Sequence, residues 1–225
     1  AWLPASPVGE YEHDATSPSA GARWRAASWL TFKGNIGRYQ RLPTFLELFG
    51  NVGSVTGNAA LVPEEGVNRD VGLTVNVTRA GVARSLFVEL SYFENEVDNL
   101  ILFFPNSQYT TKPSNIGAAR IRGAEISAGA ALGAFDVAAG YTYLDTEDTS
   151  DIPYYRGNDL PSRPAHDLNA SLSWALRALR TTWEFQYLGA NFMDRANLRE
   201  ADARSLHSLI FALRTPVDGL SLSVE

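Results

Sequence analysis

The chain has 225 residues, 45% of them hydrophobic, with 25 acidic against 19 basic residues and a net charge of -6. That apolar content excludes a disordered segment, and the scattered cations form no run or stripe of the kind a nucleic-acid surface needs. The lack of cysteine excludes disulfide staples, thiolate metal sites and a cysteine nucleophile.

Taken in order, the chain opens on Ala1-Trp2-Leu3-Pro4-Ala5-Ser6-Pro7, which has neither the basic region nor the apolar core of a signal peptide. Two strands are predicted near 17–27 and 29–39, around a short turn at 26–29, and a long loop covers 40–65. The third strand, 66–78, sets Leu73, Val75 and Val77 against Thr74, Asn76 and Thr78, the alternation of a strand with one apolar face. After a turn at 79–83 the fourth, 84–104, sets Leu86, Val88, Leu90 and Tyr92 against Ser85, Glu89 and Ser91, with Phe87 and Phe93 intruding on the polar side. A loop at 105–110 leads to a fifth strand, 111–130, and a turn at 131–134 to a sixth, 135–147. Loop 148–164 precedes the seventh, 165–176, where Leu168, Ala170, Leu172 and Trp174 alternate with Asp167, Asn169, Ser171 and Ser173. Past a turn at 177–179, the eighth strand, 180–192, sets Trp183, Phe185 and Tyr187 against Thr182, Glu184 and Gln186. Loop 193–202, a ninth strand at 203–214, a turn at 215–218 and a tenth strand at 219–225 complete the reading. No comparable stretch shows helical spacing.

Short turns and longer loops alternate along this series. One short side and one long side is the asymmetry of an antiparallel up-and-down transmembrane β-barrel. The longest purely apolar stretches resemble Leu100-Ile101-Leu102-Phe103-Phe104, far below the roughly 18 residues of a spanning helix. A barrel strand needs only about 10 residues with one apolar face. The strands at 84–104 and 111–130 are long enough to stand above the hydrocarbon layer on the loop side. Trp24, Trp174 and Trp183 lie near short turns on the apolar phase, as an interfacial girdle requires, whereas Trp29 is off phase. The same tryptophans would also suit the core of a soluble β-sandwich.

Catalytic signals are weak. His13-Asp14 and His166-Asp167 are adjacent pairs, and neighbours on a strand point to opposite faces, so neither makes a dyad. There is no Gly-x-Ser-x-Gly elbow and no His-Glu-x-x-His motif. Glu64-Glu65 and the group Asp145, Glu147, Asp148 and Asp151 could hold a hard cation, but a solvated acidic loop is the better reading. No enzyme, catalytic residue, metal site or cofactor is expected.

Four segments carry a family resemblance. Gly37-Arg38-Tyr39-Gln40-Arg41-Leu42-Pro43-Thr44-Phe45-Leu46-Glu47-Leu48-Phe49-Gly50 resembles the arginine–x–proline segment of TonB-dependent receptors, which ends in a Glu-Leu-aromatic-Gly turn. Gly57-Asn58-Ala59-Ala60-Leu61-Val62-Pro63-Glu64 is similar to that family's Gly-Asn-Pro-x-Leu-x-Pro-Glu element, with Ala59 in place of the proline. Asn115-Ile116-Gly117-Ala118-Ala119-Arg120-Ile121-Arg122-Gly123-Ala124-Glu125 resembles its Asn-x-Gly-x-Ala-x-x-x-Gly-x-Glu strand. Leu160-Pro161-Ser162-Arg163-Pro164-Ala165-His166 resembles a Pro-x-x-Pro-x-His strand entry. Each motif reads as a shaper of loops and strand entries, not as chemical machinery.

The resemblance implies a barrel of about 22 strands with a plugged lumen. Residues 1–225 would then be one partial barrel domain, holding the twelfth to twenty-first strands and incomplete at both ends. The plug, the first barrel half and the last strand would lie outside it. It further implies an outer-membrane location in a Gram-negative bacterium, contact with lipid and lipopolysaccharide, and a TonB partnership through a part not present here. The expected function is active import of a scarce nutrient, a metal chelate such as a ferric siderophore, or cobalamin. No histidine lies between Thr44 and Asn68, which disfavours haem. A passive porin and a secreted β-sandwich binding module are the alternatives. Binding groups concentrate on long loops carried by rigid scaffolds. The candidate ligand contacts are therefore Arg38 and Arg41 at the mouth of loop 40–65, Tyr109 in loop 105–110, and Tyr154, Tyr155 and Arg156 in loop 148–164. Arg38 and Arg41 could instead pair with lipopolysaccharide or with Glu47.

Overall fold

A computed structural model describes residues 16–51, 53–105, 110–214 and 221–224. Its strands are β1 (Ser19–Ala27), β2 (Leu30–Arg41), β3 (Glu64–Ala80), β4 (Ala83–Asp98), β5 (Ile101–Pro105), β6 (Thr111–Asn115), β7 (Ala118–Leu132), β8 (Phe135–Asp148), β9 (His166–Leu176), β10 (Leu179–Leu188), β11 (Asn191–Phe192), β12 (Glu200–Ala201), β13 (Arg204–Arg214) and β14 (Ser221–Val224). One short helix, α1 (Phe45–Phe49), lies between β2 and β3.

Ten strands form one antiparallel sheet in the order β1-β2-β3-β4-β7-β8-β9-β10-β13-β14. Among the described residues, β1 and β14 each pair on one side only. Every hairpin joins neighbours, as an up-and-down sheet requires. Paired residues in an antiparallel ladder share a face, so the register can be followed across the sheet. One row runs Leu30, Val75, Val88, Ala128, Ala139, Ala170, Phe185 and His207. It starts at the turn end of β2 yet crosses β13 well above that strand's turn end at Arg214. This stagger means the strands tilt relative to the line of turns, which is the geometry of a barrel wall.

The two faces differ as the alternation predicts. Leu73, Val75, Leu172, Trp174, Phe185 and Tyr187 share one face, through the row above and its parallel neighbours. Thr74, Asn76, Asn169, Ser171, Glu184 and Gln186 share the other. No second sheet covers the apolar face among the described residues, where Val71 is 60% exposed and Trp24 66%. Trp24 stacks on Phe32 at 5.5 Å and Trp174 on Phe135 at 6.5 Å. On the polar face the Phe93 ring comes up against Gly123, where a Cβ would stand 2.7 Å from its Cζ. The glycine makes room for an aromatic that the alternation alone could not explain.

Three predicted elements need correction. The strands expected as continuous over 84–104 and 111–130 are each broken. Asn99 takes φ 57° and Gly117 φ 92°, so β5 and β6 fold away as a separate hairpin. The reason is burial: Leu100 and Ile116 turn inward with Val97, Ala119 and Leu160, forming the buried apolar cluster of the loop end. The eighth strand stops at Leu188, and Asn191–Phe192 pair instead with Glu200–Ala201. Loop 40–65 holds α1, which five residues are too few to announce by periodicity. The turn expected at 215–218 lies outside the described residues.

Candidate functional site

The long connections gather at one end of the sheet, where side chains knot them together. Pro43 is buried, and Thr44 caps α1. The Glu47 N–H donates to the Thr44 hydroxyl and the Thr44 N–H to the Glu47 carboxylate at 2.6 Å, a reciprocal capping box. Arg41 joins this corner to the sheet. Its Nε and Nη2 donate to the two oxygens of Glu64, both at 2.7 Å. Nη1 and Nη2 also reach Glu47, at 3.0 and 3.2 Å. Glu64 accepts in addition the Ile101 N–H at 2.7 Å. One guanidinium thus holds the end of β2, the start of α1, the start of β3 and, through Glu64, the start of β5. Burial would raise the Glu47 carboxyl, but the Arg41 guanidinium and the Thr44 donors hold it below the ordinary carboxylate value. The same two carboxylates hold the Arg41 guanidinium still more firmly protonated.

The hairpin β5–β6 is fastened to loop 42–63 as well. The Thr56 N–H donates to the Thr111 carbonyl at 2.9 Å, and the Thr111 N–H to the Ser54 carbonyl at 2.8 Å. Asn58 Nδ2 donates to the Pro113 carbonyl at 2.9 Å. Asn115 accepts from the Val62 N–H at 3.0 Å and donates to the carbonyls of Val62 and Asn99.

A second knot binds the loops after β8 and β10. Arg195 Nε donates to Asp148 at 2.6 Å, and its Nη2 donates to the Ile116 carbonyl at 2.7 Å and to the Ser150 hydroxyl at 2.8 Å. The same guanidinium lies 4.3 Å over the Tyr155 ring, a cation–π contact. Asp159 sits in this loop with its carboxyl pushed up by burial and by Asp145.

The predicted contact residues do not converge. Tyr154 and Tyr155 meet edge to face at 5.2 Å, and Tyr154 is 63% exposed, with exposed Arg156 beside it. Arg41 has its forks filled by Glu47 and Glu64. Arg38 pairs with Val67 and so lies on the apolar face, the opposite side of β2 from Arg41. Tyr109 lies outside the described residues. The acidic group Asp145, Glu147, Asp148 and Asp151 is divided by strand alternation: Asp145 and Glu147 pair with Arg122 and Arg120 on one face, and Asp148 with Arg195 on the other. Among the described residues no three acidic, histidine or cysteine side chains gather as a metal site. Two features escaped sequence reasoning. Arg195 carried no local signal, and the exposed Phe45 and Phe49, 4.7 Å apart on α1, form an aromatic patch at the loop end.

Residues 3–223 match the family described as TonB dependent receptor-like, β-barrel. The vitamin B12 transporter BtuB of Photobacterium profundum is 27% identical over 191 residues, covering 81% of this chain and 28% of the transporter. The iron-regulated outer membrane virulence protein of Vibrio cholerae is 28% identical over 196 residues, 78% of this chain and 29% of that protein. The chain therefore spans under a third of the length of these curated relatives. Among solved structures, the copper transporter OprC superposes with a TM-score of 0.72 at 22% identity, over 93% of this chain and 32% of its own. The siderophore receptor PiuA from Acinetobacter baumannii gives 0.71 at 19% identity, over 91% and 30%. At these identities the superpositions speak to the fold.

Proposed function

The chain belongs to the TonB-dependent receptor-like β-barrel family, and from that premise we propose that it forms outer wall and extracellular loops of a receptor that imports a scarce nutrient across the bacterial outer membrane. The nutrient is a metal chelate such as a ferric siderophore, or cobalamin, and the energy comes from the TonB complex. The named relatives, a vitamin B12 transporter and an iron-regulated outer-membrane protein, are the ground for that choice. The remaining strands, the plug and the TonB contact belong to parts of the receptor beyond residues 1–225.

The observation that carries the reading is the pairing of two features. The tilted sheet keeps an open apolar face, and its long loops are tied into an ordered end by Arg41, Asn115 and Arg195. A secreted sandwich would bury that face under a second sheet. A passive pore is separated by energy dependence. In cells carrying the intact receptor, uptake of its radiolabelled chelate or cobalamin should stop when a protonophore collapses the inner-membrane gradient. Uptake that continues unchanged would identify a pore.

Ligand contacts come from the loop end, with the exposed Tyr154 and Arg156 foremost, and with Arg38, Arg41, Tyr109 and the half-buried Tyr155 in the same candidate set. Tyrosine gives wide contact at low entropic cost, and arginine suits the carboxylate or phosphate forks of an anionic ligand. Replacing Arg38, Arg41 and Arg156 by alanine, singly and together, divides the set. Loss of ligand binding on whole cells at unchanged surface abundance identifies Arg38 or Arg156 as a contact residue, and identifies Arg41 as one only where Arg41→Lys also loses binding while α1 keeps its protection. Wild-type affinity in the triple variant removes all three.

A further inference from the structure

On the strength of the import reading above, we propose that a hollow in the polar wall, just below the Arg41–Glu64 corner, receives an uncharged, amide-bearing rim of the ligand, and that polyanionic chelates are poor substrates. The hollow measures about 540 Å³, within the size range of small-molecule sites. Tyr39, Asn68, Phe93, Asn95, Ile121 and Leu144 line it. All six lie on the polar face, in successive rows of the register: Tyr39, then Asn68, Asn95 and Ile121, then Phe93 and Leu144.

Glycines keep the hollow open. Tyr39 pairs with Gly66, and Phe93 with Gly123. A Cβ at Gly66 would stand 2.6 Å from the Tyr39 ring. That ring, like the Phe93 ring at Gly123, therefore comes up against its glycine partner across the ladder. The rings flank the hollow instead of filling it, and they offer apolar surface to a flat group.

The polar groups between the rings are carboxamides, and their hydrogen-bonding capacity is unspent. Asn68 and Asn95 face each other across β3 and β4. Asn95 Nδ2 donates to the Tyr39 hydroxyl at a long 3.4 Å, and its Oδ1 is enclosed with no partner among the described residues. An enclosed acceptor without a donor is destabilising, so this carboxamide gains by turning into the hollow when a ligand N–H arrives. The Asn68 carboxamide also has no partner among the described residues. Each carboxamide both donates and accepts, which is what an amide on the ligand can answer at both ends.

Charge argues against an anion. Glu64 bounds the hollow on the loop side and is already held by Arg41. Asp70, toward the turns, accepts from Asn35 at 2.9 Å. Arg69 and Glu94 border the hollow too, but they belong to the opposite face, 4.0 Å from each other. Arg163, from loop 148–164, supplies the remaining cation and has no ion pair among the described residues. It balances Asp70 and leaves no excess positive charge. A polyanion would meet Asp70 and Glu64 with a single free guanidinium to hold it, whereas an amide-bearing rim satisfies Asn68 and Asn95 and brings no charge.

The test uses the intact receptor, purified in mild non-ionic detergent, with heat-modifiable migration to read the folded barrel. Titration calorimetry compares cyanocobalamin and an uncharged ferric trihydroxamate peptide with a trianionic ferric tris-catecholate. The wild type should bind at least one uncharged probe about tenfold or more tightly than the tris-catecholate. N68L and N95L should each weaken that binding several-fold. N95L should nevertheless unfold at no lower temperature than the wild type, because leucine removes the partnerless acceptor together with the amide. S171L, on the same face outside the hollow, should bind as the wild type does. The proposal is overturned if the tris-catecholate binds tightest, if neither uncharged probe binds, or if N68L and N95L both keep wild-type affinity. It is also overturned if S171L loses as much as N95L. An N95L barrel that folds but melts clearly earlier would mark Asn95 as a contact of the receptor's own plug, and would overturn it as well. Should N95L fail to fold, N68L decides alone. Uptake that survives a protonophore removes the transport reading and leaves this site standing. Energised uptake of the tris-catecholate alone removes this site and leaves the transport reading.

Discussion

At the scale of single residues, Arg41 is the most consequential side chain at the loop end. It neutralises two carboxylates, Glu47 and Glu64, that are 6% and 5% exposed. Taking it away leaves both buried without a counter-charge. Arg41→Ala should therefore cost about 2 kcal/mol locally, less than the roughly 3–5 kcal/mol of a fully buried pair because the guanidinium keeps a solvent face. The check is amide hydrogen exchange in α1 and at Ile101, which should quicken together. The acid dependence has a definite sign. The Glu47 carboxyl titrates below its ordinary value in the folded receptor. Its contribution is thus complete above the unfolded pKa and is lost as pH falls through the depressed folded value. Protection of the α1 amides, taken relative to their intrinsic exchange rate at each pH, should be flat through neutral pH and fall below about pH 4, and Glu47→Gln should abolish that fall. Sequence alone placed Arg41 in a loop mouth and offered Glu47 as a partner. It could not show Glu64 as well, because that contact exists only once β2 and β3 are paired in register.

At the scale of elements, the strands were legible and their interruptions were not. Period-two alternation around Leu73, Leu172 and Phe185 fixes which face each residue joins, and the register agrees. The run Leu100-Ile101-Leu102-Phe103-Phe104 reads as more strand because it is uniformly apolar. Its break depends on Asn99 and Gly117 taking positive φ, and on Leu160 arriving from a distant loop to bury Leu100. Neither condition is local. α1 had one local sign, the Thr44-x-x-Glu47 capping pattern, without the length that would make it decisive. The faces themselves can be tested. Leu172→Arg places a charge on the apolar wall and should lower folding stability in lipid by about 2–4 kcal/mol if it lies near mid-bilayer. The polar-face neighbour Ser171→Arg should be close to neutral. Equal stability of both variants in lipid vesicles would contradict the assignment of faces.

At the scale of the molecule, the loop end behaves as one body because its ties cross the chain. Arg195 joins Asp148, Ser150, Ile116 and Tyr155, so that three separate connections, its own included, meet at one guanidinium. Arg195→Ala should accordingly raise protease cutting in residues 149–165 and 189–203 at the same time, whereas a surface change such as Arg156→Ala should alter neither. Cutting confined to 189–203 would show that the knot is not shared. Residue proximity of this kind is what a single sequence withholds. The motifs around Asn58, Glu64 and Asn115 could be noticed one by one, but nothing in their spacing announced that they meet in one place.

The three-way bond among Arg41, Glu47 and Glu64 has a consequence for descent. Arg41 cannot change alone without stranding two buried carboxylates, whereas loss of either acid leaves it paired with the other. Across related receptors the arginine should therefore be the last of the three positions to vary alone. A lineage that loses the arginine should have lost at least one of the acids with it, and should have gained an apolar or amide substitute in the same branch. A family tree in which the arginine disappears repeatedly while both acids persist would mean that something else in those receptors neutralises the corner.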